Sequence, residues 1–254
     1  MRVFKVSIVL IIGIVIGFYY PTIIDYFKDL FQKDEKPISQ STPPPPISNE
    51  RRFPAGFSSD GLREKLLDLN NDGQMELLLT SLSGSKAQAV FVDSRDNSKS
   101  LSGVFNFPQT GFAEEFLFKP TEAPEVYQTM DLNANGKKEI IFDLKDYGAY
   151  TTTYGIVIYS NNTFDWLMLE EKDGKMRPAV FRDGASVRNA NVFKTLPEEK
   201  ALVEVSGAGD NNNNWTWEVS AYKWSGEKYK YDSALSAKIL AEQPKKIIDG
   251  EPVF

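Results

Sequence analysis

One acidic turn occurs twice in this chain. "DLNNDGQMELLL" runs from Asp68 to Leu79, and "DLNANGKKEIIF" runs from Asp131 to Phe142, 63 residues later. Each has Asp or Asn at every second position, then a glycine, and then an apolar strand. Alternate side chains fall on one side of an extended backbone. Glycine supplies the positive φ that a tight reversal needs. A third segment, "VFKTLPEEKALVEVS", keeps the strand but lacks the Asp/Asn/Gly chemistry and is two residues shorter. With Asp68, Asp131 and Thr195 as leading positions the spacings are 63 and 64. A constant period of this length predicts a strand unit stacked on copies of itself.

A second landmark keeps the same period. "VIYSNNTFDWL" (Val157 to Leu167) matches "YKWSGEKYKYD" (Tyr222 to Asp232) at an offset of 65, and "VFVDSRDNSKSL" takes that place in the first copy. The two later segments read as strand, tight turn, strand. Short segments rich in β-branched and aromatic residues recur: "AVFVD", "EIIFDL", "GIVIYS", "ALVEVS" and "WTWEVSAYKW". Turn formers separate them. One soluble helix is expected, "SALSAKILAEQ" from Ser233 to Gln243, as a cover for an open sheet edge. The predicted fold class is all-β, with about three repeats of roughly 64 residues in a propeller-like array. Three units are too few for a wide ring, so a small propeller or a curved array of sheets is expected.

The two turns resemble the calcium loops of FG-GAP/VCBS repeats, found in integrin-α-like β-propellers, whose pattern is D-x-[DN]-x-[DN]-G-x-x-[DE] before an apolar strand. The match covers nine residues in each of two copies. The resemblance implies a propeller-type repeat that binds calcium. In the first loop Asp68, Asn70 and Asp72 project toward one centre, the carbonyl of Gln74 adds a main-chain oxygen, and Glu76 closes the set. The second loop offers Asp131, Asn133, Asn135, the carbonyl of Lys137, and Glu139. Such all-oxygen sets suit calcium better than magnesium. An EF-hand is excluded because position twelve is Leu79 and a strand follows. The first loop carries three carboxylates and the second two, with Lys137 and Lys138 repelling a cation, so weaker binding is expected there. Plain Asx or hairpin turns are the alternative, since "NDG" and "NANG" form turns without metal.

Composition narrows the chemistry. The 254 residues include no cysteine and no histidine. Disulfides, thiolate nucleophiles, imidazole bases and Cys/His metal sites are therefore excluded. Net charge is −6 with no basic domain, which argues against nucleic acid as a partner. With 35 acidic residues, carboxylate pairs arise by chance, and no motif marks a catalytic one.

Residues 1–32 read as a membrane anchor with its juxtamembrane segment. Val6 to Ile24 is uncharged over nineteen residues, behind Arg2 and Lys5. As a helix that is about 28 Å, close to the hydrocarbon thickness. The charge bias keeps the N-terminus cytoplasmic and places the C-terminal domain outside, as in a single-pass signal anchor. A cleaved signal peptide is the rival reading, but "GFYYPTIIDYF" offers no small-x-small site. Residues 33–52 form a Pro-rich disordered linker, in which Pro43 to Pro46 enforce polyproline II. Residues 53–254 form the β-repeat domain.

This organisation predicts a membrane-anchored, extracytoplasmic, calcium-binding module for a glycan or protein ligand. The alternatives are a structural envelope-associated domain without a specific ligand and, third, an Asp/Glu hydrolase. Trp215, Trp217 and Val219 are expected on one strand face, with Tyr222 and Trp224 on the other. Packing of both faces between sheets is favoured over ligand stacking. The polar loops 145–155 and 207–215 fall at equivalent repeat positions, where binding residues gather.

Overall fold

A computed structural model describes residues 53–69, 73–94, 96–107, 120–146, 151–186, 188–248 and 251–253. The expected anchor over 1–32 and the Pro-rich linker over 33–52 lie outside these residues. Among the described residues no helix is long and apolar enough to cross a membrane.

The described chain is mostly β. The first repeat is an antiparallel sheet in the order β1 (Arg63–Leu67), β2 (Glu76–Ser83), β3 (Lys86–Asp93), β4 (Asp96–Ser100), with β5 (Phe105–Asn106) also on β3. The second is β6 (Glu125–Met130), β7 (Glu139–Asp143), β8 (Thr151–Ser160) and β9 (Thr163–Trp166). The third is β13 (Asn189–Leu196), β14 (Ala201–Gly209), β15 (Trp215–Trp224) and β16 (Tyr229–Tyr231). Each copy enters its loop on one strand and leaves on the next. Each second landmark is a hairpin: β3–β4, β8–β9 and β15–β16.

Strand register revises the third copy. The pairs closing the loop are Leu67 with Glu76, Met130 with Glu139, and Leu196 with Ala201. The third connection is therefore 197–200, against 68–75 and 131–138, so it is four residues shorter, not two. Thr195 is not a loop position, because it pairs with Leu202 inside the β13–β14 ladder. Lys200, at φ 47°, makes this tighter reversal after a turn of 3₁₀ helix at Pro197–Glu199.

The segment between the second and third repeats had no counterpart in the sequence reading. It forms β10 (Met168–Glu170), β11 (Met176–Pro178) and β12 (Val180–Ala185). β12 pairs with β8 on one side and with β13 on the other. β10 runs parallel to β16. The second and third repeats thereby join into one 11-stranded mixed sheet. The described strands thus form an all-antiparallel sheet, a mixed sheet and a two-stranded sheet near the C-terminus, and no closed propeller.

Continuous apolar runs such as "EIIF" bury both faces of their strands. Ile140 and Phe142 pack with Leu78, Ala89 and Phe91 of the first repeat, and Val157 and Phe164 of the second. Ile141 and Ile156 point the other way, into a cluster with Leu202, Tyr222 and Tyr229 of the third. The outer face of the first repeat (Leu77, Leu79, Val90, Val92) is covered by Phe53 and Phe57. The outer face of the third (Val203, Val205, Val219, Ala221) meets Leu235 and Ile239. Those two side chains belong to α1 (Ser233–Ala241), begun by Asp232, whose carboxylate accepts from the Leu235 N–H at 2.9 Å. The helix covers a sheet face, not the expected edge. Both faces of β15 are packed: Trp217 and Val219 with α1, Tyr222 and Trp224 with the second repeat. After α1 come β17 (Lys246–Ile248) and β18 (Glu251–Val253).

Candidate cation site

Both acidic loops join the first two strands of a repeat, and they share one hydrogen-bond frame. In the second loop the Gly136 N–H donates to Asp131 Oδ2 at 2.8 Å, and the Leu132 N–H to Glu139 Oε2 at 2.8 Å. In the first loop the Gly73 N–H donates to Asp68 Oδ2 at 3.2 Å, and the Leu69 N–H to Glu76 Oε2 at 3.4 Å. The glycines turn the chain at φ 80° and 85°, where a Cβ would be strained. The leading Asp and the closing Glu thus occupy equivalent places 63 residues apart.

The second loop is described throughout. The Asn135 N–H donates to Asp131 Oδ1 and to Asn133 Oδ1, both at 3.0 Å. The Lys137 N–H donates to Asn135 Oδ1 at 2.8 Å, and Asn133 Nδ2 to Glu139 Oε1 at 3.0 Å. Asn133 and Glu139 are buried, whereas Asn135 and Lys137 are exposed. Burial pushes the Glu139 carboxyl above the ordinary range, the Leu132 N–H offsets part of this, and the Asp131 charge adds to it. The loop therefore closes on itself with its oxygens already accepting N–H groups.

The first loop is described at residues 68, 69 and 73–76. Asp68 Oδ1 is buried and has no hydrogen-bond partner among the described residues. Asn70 and Asp72 lie outside the described residues, and Gln74 is exposed. A buried carboxylate oxygen without a donor is costly unless a proton or a cation meets it. The donor chemistry of Asp68 and Glu76 fits an oxygen-seeking cation. Among the described residues no group of three or more carboxylates converges on one point.

Lys138 does not act as expected. Its Nζ donates to the Asp68 carbonyl at 3.1 Å, and its N–H to the Leu69 carbonyl at 3.2 Å. The ammonium expected to weaken the second loop is instead held at the first. The two loops are neighbours, bridged by one residue.

A cleft of about 250 Å³ opens beside β1 and β6, lined by Arg63, Lys65, Thr80, Glu125 and Val126. Arg63 donates to Glu125 at 3.0 Å and also bonds Glu122. In the 207–215 loop Asp210 accepts from the Asn212 and Asn214 N–H groups and from Asn214 Nδ2, forming a self-contained turn.

Sequence reading missed the Arg177 cluster. Arg177 is buried on β11 and bonds Glu171, Glu204 Oε2 at 3.0 Å and Tyr222 Oη at 3.0 Å. Its guanidinium centre lies 5.1 Å from the Tyr222 ring centre. The one available signal was a lone arginine in "KMRPAVF". Its partners are as far off in sequence as Tyr222.

Comparison with family models, with curated proteins and with solved structures finds no match for this chain.

Proposed function

We propose that this chain is a membrane-anchored, extracytoplasmic, calcium-stabilised β-repeat domain that serves as a binding or adhesion module for a glycan or protein ligand. The three meanders act as blades of a propeller-like stack, with the acidic loops at equivalent corners. The observation that carries this reading is the shared frame of the two loops, in one of which the buried Oδ1 of Asp68 has no hydrogen-bond partner among the described residues. Calcium at the first loop would be held by Asp68 and Glu76 with Asn70, Asp72 and the Gln74 carbonyl. It would neutralise carboxylates that otherwise repel each other, and so fix the start of β2. Extracellular modules of this kind bind at roughly 0.1–1 mM, which matches an extracytoplasmic location.

Thermal unfolding with calcium and with chelator tests the proposal. A hundredfold excess over the dissociation constant stabilises by about 2.7 kcal/mol per site. Asp68→Ala is expected to abolish most of the calcium-dependent shift, and Asp131→Ala less. Equal midpoints with and without calcium would refute the cation site. A second reading, a structural domain whose loops are plain turns, draws support from the self-bonded second loop. A glycan and peptidoglycan binding screen separates it from the first reading.

The anchor has its own test. Protease added to intact cells is expected to cut within residues 33–52 and release the domain. Full-length, protected protein in the cytosol would count against export.

A further inference from the structure

The second loop contains Asn135–Gly136, the one Asn-Gly pair in the chain. Asparagine followed by glycine is open to attack on its own side chain, because no Cβ shields the next main-chain nitrogen. Both residues are exposed, and nothing lies within 4 Å of the place a Gly136 Cβ would take. The hydrogen bonds around the pair match what the attack requires. The Gly136 N–H, whose nitrogen is the nucleophile, donates to Asp131 Oδ2 at 2.8 Å. The Asn135 Oδ1, where negative charge builds, accepts from the Lys137 N–H at 2.8 Å. The Asn135 N–H is itself held by Asp131 Oδ1 and Asn133 Oδ1. A carboxylate thus sits on the proton that must leave, and a donor on the oxygen that must be stabilised.

We propose that Asn135 is a self-modification site, at which the folded loop promotes deamidation to an acidic residue. The Gly136 nitrogen forms a bond to Cγ of Asn135 as its proton passes to Asp131. The Cγ–Nδ2 bond then breaks, and ammonia leaves with that proton. Water opens the resulting five-membered imide at either carbonyl. One opening gives aspartate, the residue type that Asp72 supplies at the equivalent sequence position of the first loop. The other gives isoaspartate, whose main chain is longer by a methylene and loses the Lys137 bond. Either product makes the net charge one unit more negative than −6. The loop would gain the third carboxylate that distinguishes its counterpart.

The test is incubation of the full-length protein at mildly alkaline pH, followed by peptide mapping for acid and isoaspartate at each asparagine. Asn135 is expected to convert ahead of every other asparagine, and faster in native than in urea-unfolded protein. Asp131→Asn is expected to slow conversion severalfold, with the fold checked by circular dichroism. If that variant does not fold, the native-against-unfolded comparison still decides. An intact Asn135 amide, conversion spread evenly over the asparagines, or no acceleration in the native state overturns the proposal. An unchanged rate in folded Asp131→Asn overturns the role of the carboxylate.

Discussion

Asp183 sits on β12, in a strand pairing with β8 and β13. Burial raises its carboxyl from 3.8 to about 6, partly offset by the Gly184 N–H and the Lys194 charge. The folded state therefore holds this proton more tightly than the unfolded chain does. The stability it contributes is full below pH 3.8 and is lost as pH rises through about 6. Asp183→Asn is expected to flatten that decline, and to raise stability at neutral pH by on the order of 1–3 kcal/mol. Urea unfolding across this window measures it; an unchanged slope would show that Asp183 is solvated. Glu139 and Glu204 are also raised by burial and leave a residual slope of the same sign. The turn of the second acidic loop was legible from residue types and spacing, because a glycine and its flanking Asx residues set its local geometry unaided. The direction of Lys138 was not legible. It depends on which loop lies within reach of a long side chain, and only stacking of the repeats decides that.

Strands were readable where both faces are buried. The expected "EIIFDL" is β7 with one residue too many, and "WTWEVSAYKW" is β15 to the residue, since apolar β-branched and aromatic runs leave no helical stripe. β10, β11 and β12 were missed because three to six residues around charged turns carry little periodicity, and the partner of β10 lies sixty residues downstream. Arg177 explains why this insert stays in place. Its bonds to Glu171, Glu204 and Tyr222 tie β11 to β14 and β15, and replacing it leaves a half-buried Glu204 without this cation. Arg177→Met is expected to cost about 3–5 kcal/mol, with part recovered by adding Glu204→Gln. A loss below about 1 kcal/mol in denaturant unfolding would mean the ion cluster is solvated. The helix expected over Ser233–Gln243 was legible as an element, ending at Ala241, but its position on a face was not. A sheet face exposing Val203, Val205, Val219 and Ala221 loses more by staying wet than an edge does.

The repeat period carried the three similar strand units. It did not carry the joining of the second and third repeats through β12, since that strand falls in an insert outside the period. Protection against exchange should follow the layering. Amides of β7 and β8, between two core clusters, are expected to exchange through global unfolding, and those of β4 and β11 far faster through local opening. Uniform protection by native-state exchange would contradict the layering.

The parallel pairing of β10 with β16 also sets a clock. Leu169 faces Tyr229 across it, so sixty residues must be synthesised after one partner before the other exists. At 5–20 residues per second that takes roughly 3–12 s, long compared with the microseconds in which a hairpin forms. The first two meanders have time to close while β10 still offers a bare ladder. In a crowd of nascent copies, that three-residue edge is where one chain would first be mistaken for another.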